Sequence, residues 1–279
     1  PDYAVTGVQT CALPISPAFA VQSLQNCIAH HEVIAVFTQP DRPKGRSNKL
    51  TPSDVKIEAE KHQIMVLQPE KIRKDGWPDQ IRALKPDVIV VVAYGQILSQ
   101  EILDISPFGC INVHASLLPK YRGAAPINWA LANGEKQTGV TTMLMDAGID
   151  TGDMLLNSVV DIDPDMNAEQ LHDRLATLGA DLLIETLNQL EQKTIVPIKQ
   201  DDALACYAPL MQKETARIKW HLSAEEIHNH VRAFNPWPIA HTQFQEVVLK
   251  VFRTEVSDMD YDLSHPVGTV VKTDRKSVV

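Results

Sequence analysis

Residues 87–93 read DVIVVVA, an apolar run in which polar and apolar side chains do not alternate. Such a run is typical of a central strand in a parallel sheet, because helices cover both of its faces. On either side of this run, the pattern predicts strands at 33–37, 64–67, 109–114 and 139–145, and helices at 53–62, 126–132 and 167–189. Since strands and helices alternate from residue 17 to residue 192, the sequence predicts an α/β domain with a Rossmann-like parallel sheet.

A second region, residues 207–273, differs in character from the first. It follows a polar, extended stretch at 193–206, which we interpret as a linker. A helix is predicted at 223–233, since Ser223 and Glu226 have the spacing of a capping box. The short alternating strands that come after this helix predict a small, OB-like β-barrel domain of which the sequence carries an incomplete part.

The two ends, residues 1–16 and 274–279, are set apart from the predicted fold. They contain VTGVQTCALPI at 5–15 and DRKSVV at 274–279, which resemble translated sequencing-adapter DNA. The N-terminal stretch does not have the pattern of a signal peptide, because no basic residues precede its apolar part. We therefore expect both ends to be non-native, and the natural segment to cover about residues 17–273 and to be truncated at both ends.

Composition excludes several classes of protein. No apolar run approaches the roughly 18 residues that a membrane span needs. The formal net charge is −9, so any contact with nucleic acid has to come from a local basic patch. Beyond residue 16, the cysteines are Cys27, Cys110 and Cys206, an odd number without CxxC spacing. Neither a disulfide framework nor a zinc site is predicted, and a reducing compartment is expected, namely the cytoplasm or an organellar matrix.

The chemistry is concentrated in residues 111–127, INVHASLLPKYRGAAPI. Asn112 and His114 lie two positions apart at the end of a predicted strand, so their side chains point to the same face. That position is the carboxyl edge of the sheet, where open α/β folds bind ligands. An amide and an imidazole can both donate hydrogen bonds to a developing oxyanion, and the imidazole can also carry a proton. By itself such a pair also suits a purely structural role.

The motif NxHxSLLP at 112–119, followed by GIDTG at 148–152, resembles the folate-dependent formyltransferase superfamily. The resemblance covers about residues 17–273. It implies that Asn112, His114 and Asp150 are catalytic, and that a formyl group passes to an amine without a metal. In this superfamily a first strand with a Gly-Thr turn comes just before the position of residue 17, and the sequence shows no such strand.

The resemblance also implies a binding site for the formyl donor, 10-formyltetrahydrofolate. Two segments are expected to line this site, one directly after His114 and one after the apolar strand at 87–93. In the family the second segment lies beside the pterin ring and uses mainly backbone groups. The residues concerned are Ser116, Leu117, Leu118, Pro119, Tyr94 and Gly95.

The acceptor is indicated by residues 37–55, FTQPDRPKGRSNKLTPSDV, which resemble the insertion loop of methionyl-tRNA formyltransferases. Four cations lie within eight positions, beside the single acid Asp41. They are Arg42, Lys44, Arg46 and Lys49. A basic patch on an acidic chain suits contact with tRNA phosphates, although a solvated loop would explain the charges alone. The resemblance implies initiator methionyl-tRNA as the acceptor, and a monomeric protein.

Three alternatives remain open on the sequence. A formyltransferase that acts on an amino-sugar nucleotide would share both motifs but lack the QPDRPxGR loop. A non-catalytic nucleic-acid-binding protein would not need Asn112, His114 and Asp150 together. A dinucleotide-dependent oxidoreductase would carry GxGxxG, which does not occur in the sequence. That motif would follow the first strand of the sheet, and the sequence shows no such strand before residue 17, so its absence does not decide the matter.

Overall fold

The computed structural model describes residues 4–8, 18–44, 49–257 and 265–271. Its strands are β1 (Ala4–Val8), β2 (Ala35–Phe37), β3 (Arg42–Lys44), β4 (Lys49–Thr51), β5 (Met65–Leu67), β6 (Ile89–Val92), β7 (Cys110–His114), β8 (Gln137–Leu144), β9 (Met154–Asp161), β10 (Ala240–Phe244) and β11 (Val247–Val251). Its helices are α1 (Ala18–His30), α2 (Asp54–Lys61), α3 (Trp77–Leu84), α4 (Gln100–Leu103), α5 (Pro126–Ala132), α6 (Ala168–Glu191) and α7 (Ala224–Ala233).

The main sheet has five strands in the order β1-β6-β7-β8-β9. Strands β1, β6 and β7 run parallel, whereas β8 is antiparallel to β7 and β9 is antiparallel to β8. The α/β class is confirmed, and the sheet is parallel in its first three strands. The two antiparallel strands differ from the predicted parallel sheet. Strand β9 is antiparallel to β8 because a short loop joins them, whereas β8 is antiparallel to β7 although helix α5 lies in the connection between them.

Strand β1 lies inside the N-terminal segment that the sequence analysis sets apart from the fold. Ala4 pairs with Ile89 and Val5 with Val90, and the register shifts before Val8 pairs with Val92. The segment AVTGV is rich in β-branched residues, and it satisfies backbone groups along one side of β6. The structure therefore has a strand where the sequence predicted none. Residues 9–16 outside this strand, and residues 274–279, lie outside the described residues.

Alternation along β7 assigns its side chains to two different faces. Ile111 and Val113 lie in a core cluster with Leu171 and Leu175 of α6, while Cys110 belongs to a second cluster with Phe37 of β2. Successive side chains of a strand point to opposite faces, so Asn112 and His114 share the face of Cys110. The long helix α6 thus packs behind the strand that carries the predicted catalytic pair.

The region after α6 consists of the segment 193–206, which includes a 3-10 helix at Asp202–Leu204, then a second 3-10 helix at Glu214–Ala216, helix α7 and a hairpin. Helix α7 begins at Ser223 with the predicted capping box, since Ser223 and Glu226 exchange hydrogen bonds. Asn128 of α5 donates a 2.7 Å hydrogen bond to the Ala233 carbonyl, which joins α7 to the first domain. Of the predicted barrel, residues 207–257 and 265–271 show the antiparallel pair β10–β11. Within the described ranges, no helix has the length and apolar character to cross a membrane.

Candidate active site

Three predicted catalytic side chains meet at the carboxyl end of β7. Asn112 Nδ2 donates to Asp150 Oδ1 at 3.4 Å, and His114 Nδ1 lies 3.7 Å from Asp150 Oδ2. His114 is buried, whereas the Asp150 side chain keeps 17% of its exposure and so remains in contact with solvent. The structure therefore brings together residues that are 38 positions apart in the sequence.

The imidazole of His114 is fixed from both sides. Its Nε2 lies 2.9 Å from the backbone carbonyl oxygen of Tyr121, which can only accept a hydrogen bond. Nε2 therefore carries a hydrogen, and Nδ1 is the nitrogen that faces the Asp150 carboxylate.

The loop between β8 and β9 holds Asp150 in an unusual backbone conformation. Its φ is +53°, in the left-handed region that a short polar side chain such as Asp tolerates better than most. Asp146 Oδ1 accepts hydrogen bonds from the Gly148 N–H at 3.0 Å and from Thr151 Oγ1 at 2.7 Å. A Cβ at Gly152 would clash with the Leu144 carbonyl oxygen. The spacing of GIDTG is thus explained by the tight turn that presents Asp150.

Gly123 is a second element of the site, for which the sequence alone predicts no role. Its backbone N–H donates a 2.8 Å hydrogen bond to Asp150 Oδ2. Its φ is +112°, and a Cβ there would lie 2.9 Å from the Ala208 carbonyl oxygen. Only glycine fits this position without a shift of the backbone. Arg122 and Gly123 lie within the motif at 111–127, but the sequence alone does not indicate a function for Gly123.

The segment predicted to bind folate forms a rigid turn beside His114. Ser116 and Leu118 are buried, and the Leu118–Pro119 peptide bond is cis. Thr141 Oγ1 of β8 donates to the Ser116 carbonyl at 2.7 Å and accepts from the Leu118 N–H at 3.1 Å. This threonine, which the sequence analysis did not identify, ties the turn to the sheet.

Tyr94 and Gly95 follow β6, the parallel neighbour of β7, so they lie at the same edge of the sheet as His114. The Tyr94 side chain is buried in the cluster with Phe37 and Ile72, and burial raises the pKa of its phenol. Its hydroxyl has no hydrogen-bond partner within the described part of the chain. The side chain is therefore part of the core, which leaves the backbone of this segment to face a ligand.

The basic segment forms a hairpin, where the sequence analysis expected a loop. Strands β3 and β4 pair antiparallel, with Arg42 opposite Thr51. The Arg42 side chain is exposed. Lys44 and Lys49 pair through their backbones near the tip, while Arg46 lies outside the described residues.

Asp41, the acid next to the four cations, is bound at the base of the hairpin. Its Oδ2 lies 2.8 Å from Lys56 Nζ, and its Oδ1 accepts a 2.8 Å hydrogen bond from Gln68 Nε2. The hydrogen bonds from Lys56 and then Gln68 lower the pKa of Asp41. The carboxylate is therefore neutralised by α2 and does not offset the cations of the hairpin.

The arrangement can stabilise an oxyanion and move a proton. Asn112 supplies an amide donor, His114 a proton carrier, and Asp150 a carboxylate that contacts both. Across the described ranges, no three His, Cys, Asp or Glu side chains are grouped so that they could hold a metal ion. The chemistry available from these residues is acid–base and electrostatic.

Comparisons with known proteins match nearly the whole chain. A family described as "Formyl transferase" matches residues 16–187, and "Formyl transferase, C-terminal domain" matches residues 210–279. The methionyl-tRNA formyltransferase of Clostridium novyi (strain NT) is 49% identical over 264 residues, covering 94% of this chain and 85% of that protein. That of Geobacter metallireducens is 55% identical over 243 residues, covering 87% of this chain and 78% of that protein.

Solved structures share the fold at low identity. An N-formyltransferase from Helicobacter canadensis, in complex with folinic acid and dTDP-3-aminofucose, has a TM-score of 0.69 at 20% identity, covering 93% of this chain and 89% of that chain. The methionyl-tRNA formyltransferase from Clostridium thermocellum has a TM-score of 0.60 at 16% identity, covering 92% and 95%. At these identities the likeness concerns the fold alone.

Proposed function

This chain belongs to the family of methionyl-tRNA formyltransferases, and on that premise we propose that it formylates the amino group of methionine on initiator tRNA. The proposed donor is 10-formyltetrahydrofolate. The observation that carries the proposal is the contact of the Asp150 carboxylate with both Asn112 and His114. Each of these residues has a role in moving an acyl group between two nitrogens.

The acceptor amine is itself the nucleophile, so the site needs no nucleophile from the protein. Asn112 Nδ2 and the Nδ1–H of a protonated His114 ring stabilise the formyl oxygen as it gains negative charge, since Nε2–H is held by the Tyr121 carbonyl. Asp150 holds the imidazole and takes the proton that the amine loses, directly or through water. His114 then gives its proton to the departing folate nitrogen. One carbon–nitrogen bond forms and one breaks, with no change of oxidation state.

The folate carrier supplies an activated formyl group, and two segments of the chain fit its binding. The turn at Ser116 to Pro119 is fixed to β8 through Thr141, directly after His114. The backbone at Tyr94 and Gly95 lies on the neighbouring strand end. We assign the apolar turn to the body of the folate and the backbone of the second segment to the pterin ring.

The hairpin β3–β4 is the proposed contact with tRNA. It carries the basic cluster of an otherwise acidic chain, and its one carboxylate, Asp41, is bound to Lys56. The field at the hairpin is therefore positive, as contact with phosphates requires. This hairpin favours tRNA over an amino-sugar nucleotide as the acceptor.

The catalytic roles are tested by Asp150→Asn and His114→Ala. Each variant loses a group that acts on the developing charge or the proton, so formyl transfer should fall by about 10²–10³-fold. The affinity for methionyl-tRNA should not change, because the hairpin is a separate surface. The matched control is Asp173→Asn, which alters a second His–Asp pair on α6, 3.0 Å apart, in which His172 is buried and Asp173 is exposed.

Near-normal turnover in Asp150→Asn or His114→Ala would contradict the assigned chemistry. The Asp173→Asn control is measured alongside and should keep wild-type turnover. The acceptor is tested separately with the wild-type protein. Formylation of an amino-sugar nucleotide, without formylation of methionyl-tRNA, would overturn the tRNA assignment and leave the catalytic roles intact.

A further inference from the structure

Gln200 lies in the segment between the two domains, yet it is buried, with 5% of its surface exposed. Its Nε2 donates to the backbone carbonyls of Asp150 at 2.9 Å and Gly152 at 2.7 Å. Its Oε1 accepts from Arg122 Nε at 3.0 Å and from Arg122 Nη2 at 2.8 Å. Both donors and both acceptor positions of one amide are therefore used.

Arg122, the partner of Gln200, is buried and held by its backbone as well as by its side chain. Its N–H donates to the Cys206 carbonyl at 2.9 Å, and its own carbonyl accepts from the Ala208 N–H at 2.7 Å. Its Nη2 also donates to Asp202 Oδ1 at 2.8 Å. The segment that carries Gln200 is thus also fastened to Arg122 at residues 202, 206 and 208, which follow Gln200 in the chain.

These contacts join two backbone segments that meet at the Asp150 carboxylate. Gly123, the residue after Arg122, donates its N–H to Asp150 Oδ2. Asp150 itself has a φ of +53°. A residue in this sparsely populated region keeps its conformation only where the surroundings hold it. Gln200 bonds to the carbonyl of that residue and does not touch its carboxylate.

We propose that Gln200 is a positioning residue for formyl transfer, acting through the backbone of Asp150 and through Arg122. By holding the Asp150 loop against the Arg122–Gly123 segment, it directs the carboxylate toward His114 and Asn112. The segment between the domains is accordingly part of the active site. This inference rests on the proposed catalytic role of Asp150.

The test is Gln200→Glu, which removes both N–H donors and keeps an acceptor for Arg122. A carboxylate oxygen then faces the carbonyls of Asp150 and Gly152, so the loop should shift. We expect kcat for formyl transfer to fall about 10- to 100-fold, as for a small misplacement of a reacting group. KM for methionyl-tRNA and for the folate donor should stay at the wild-type values. Gln80→Glu, on the exposed surface of α3, is the matched control.

The decisive measurement repeats Gln200→Glu in the Asp150→Ala background. A residue that acts through Asp150 has no further effect once the carboxylate is gone, so the two losses should not add. Additive losses, a normal kcat in folded Gln200→Glu, or a change confined to KM would overturn the inference. If Asp150→Ala alone keeps full activity, the catalytic assignment fails instead.

A thermal melt distinguishes positioning from folding. Gln200→Met, which keeps the length of the side chain and removes its polar contacts, serves as the second variant if Gln200→Glu does not fold. Gln200→Met is then measured in the wild-type protein and in the Asp150→Ala variant, and the same results are expected as for Gln200→Glu. Failure of both variants to fold would make Gln200 a stability residue and overturn its role in positioning.

Discussion

Adding one methyl group at Gly123 should affect stability and catalysis together. The φ of +112° is unfavourable for any residue with a Cβ, and the new atom would lie 2.9 Å from the Ala208 carbonyl oxygen. That oxygen cannot easily retreat, because it accepts hydrogen bonds from the N–H groups of Ala124 and Ala125 at 2.9 and 3.1 Å. The backbone of residue 123 therefore has to move, and its N–H moves away from Asp150.

The expected magnitude has two parts. A sparsely populated backbone conformation costs about 1–3 kcal/mol, and forcing an extra methyl into a packed site costs about 1–3 kcal/mol more. Gly123→Ala should therefore lower the free energy of unfolding by about 2–6 kcal/mol. The total free energy of unfolding of a native protein is about 5–15 kcal/mol, so a loss at the upper end of this range is enough to unfold a domain of ordinary stability. The lost hydrogen bond to Asp150 should also lower formyl transfer by about 10- to 100-fold in the protein that remains folded.

The control is Gly76→Ala at the start of α3, where φ is +76° and a Cβ would meet no atom within 4 Å. It should cost about 1–2 kcal/mol from the backbone alone and leave formyl transfer unchanged. Urea unfolding gives both free energies from the shift of the midpoint at constant slope. Equal losses at the two glycines, or full activity of Gly123→Ala, would refute the reasoning.

Two further results are expected from charge and burial. Replacing the hairpin cations Arg42, Lys44 and Arg46 with alanine should weaken tRNA binding and lower the slope of log affinity against log salt by about 2–3; parallel salt plots would contradict the contact. The charge-matched control replaces Lys71, Arg73 and Lys74 with alanine. Burial lowers the pKa of His230, whose ring stacks on Phe234, so the unfolded chain takes up the proton first as pH falls. Stability should decline as pH falls through about 6.5, the ordinary pKa of an imidazole, and His230→Gln should flatten that decline in urea midpoints; an unchanged curve would exclude His230 as its source.

Local signals in the sequence predicted the elements that depend on near neighbours. The helix at 126–132 has the predicted ends, because Pro126 suits a first turn and the apolar pattern continues to Ala132. The capping box of Ser223 and Glu226 was also predicted, since both partners lie within one turn. Asn112 and His114 face the same side for the equally local reason of strand alternation.

Contacts between distant segments were not predictable in the same way. Strand β9 depends on its pairing with β8, and its sequence MLLNSVVD lacks strict alternation. The hairpin at Arg42 contains Pro43 and charged residues, which are poor strand formers, so pairing with β4 decides it. The contact of Gln200 with Asp150 spans 50 residues and comes from a polar stretch that gives no signal of burial.

The fastening of residues 198–208 to the first domain limits how this enzyme could be recombined with its relatives. Met154 and Ile198 exchange two backbone hydrogen bonds of 2.8 Å, and Arg122 is paired with the backbone of residues 206–208. A gene fusion made at the end of α6 would replace these residues, together with Gln200, by foreign ones and so alter the catalytic half as well. A chimera that exchanges only the C-terminal domain should therefore join the two sequences after Ala208.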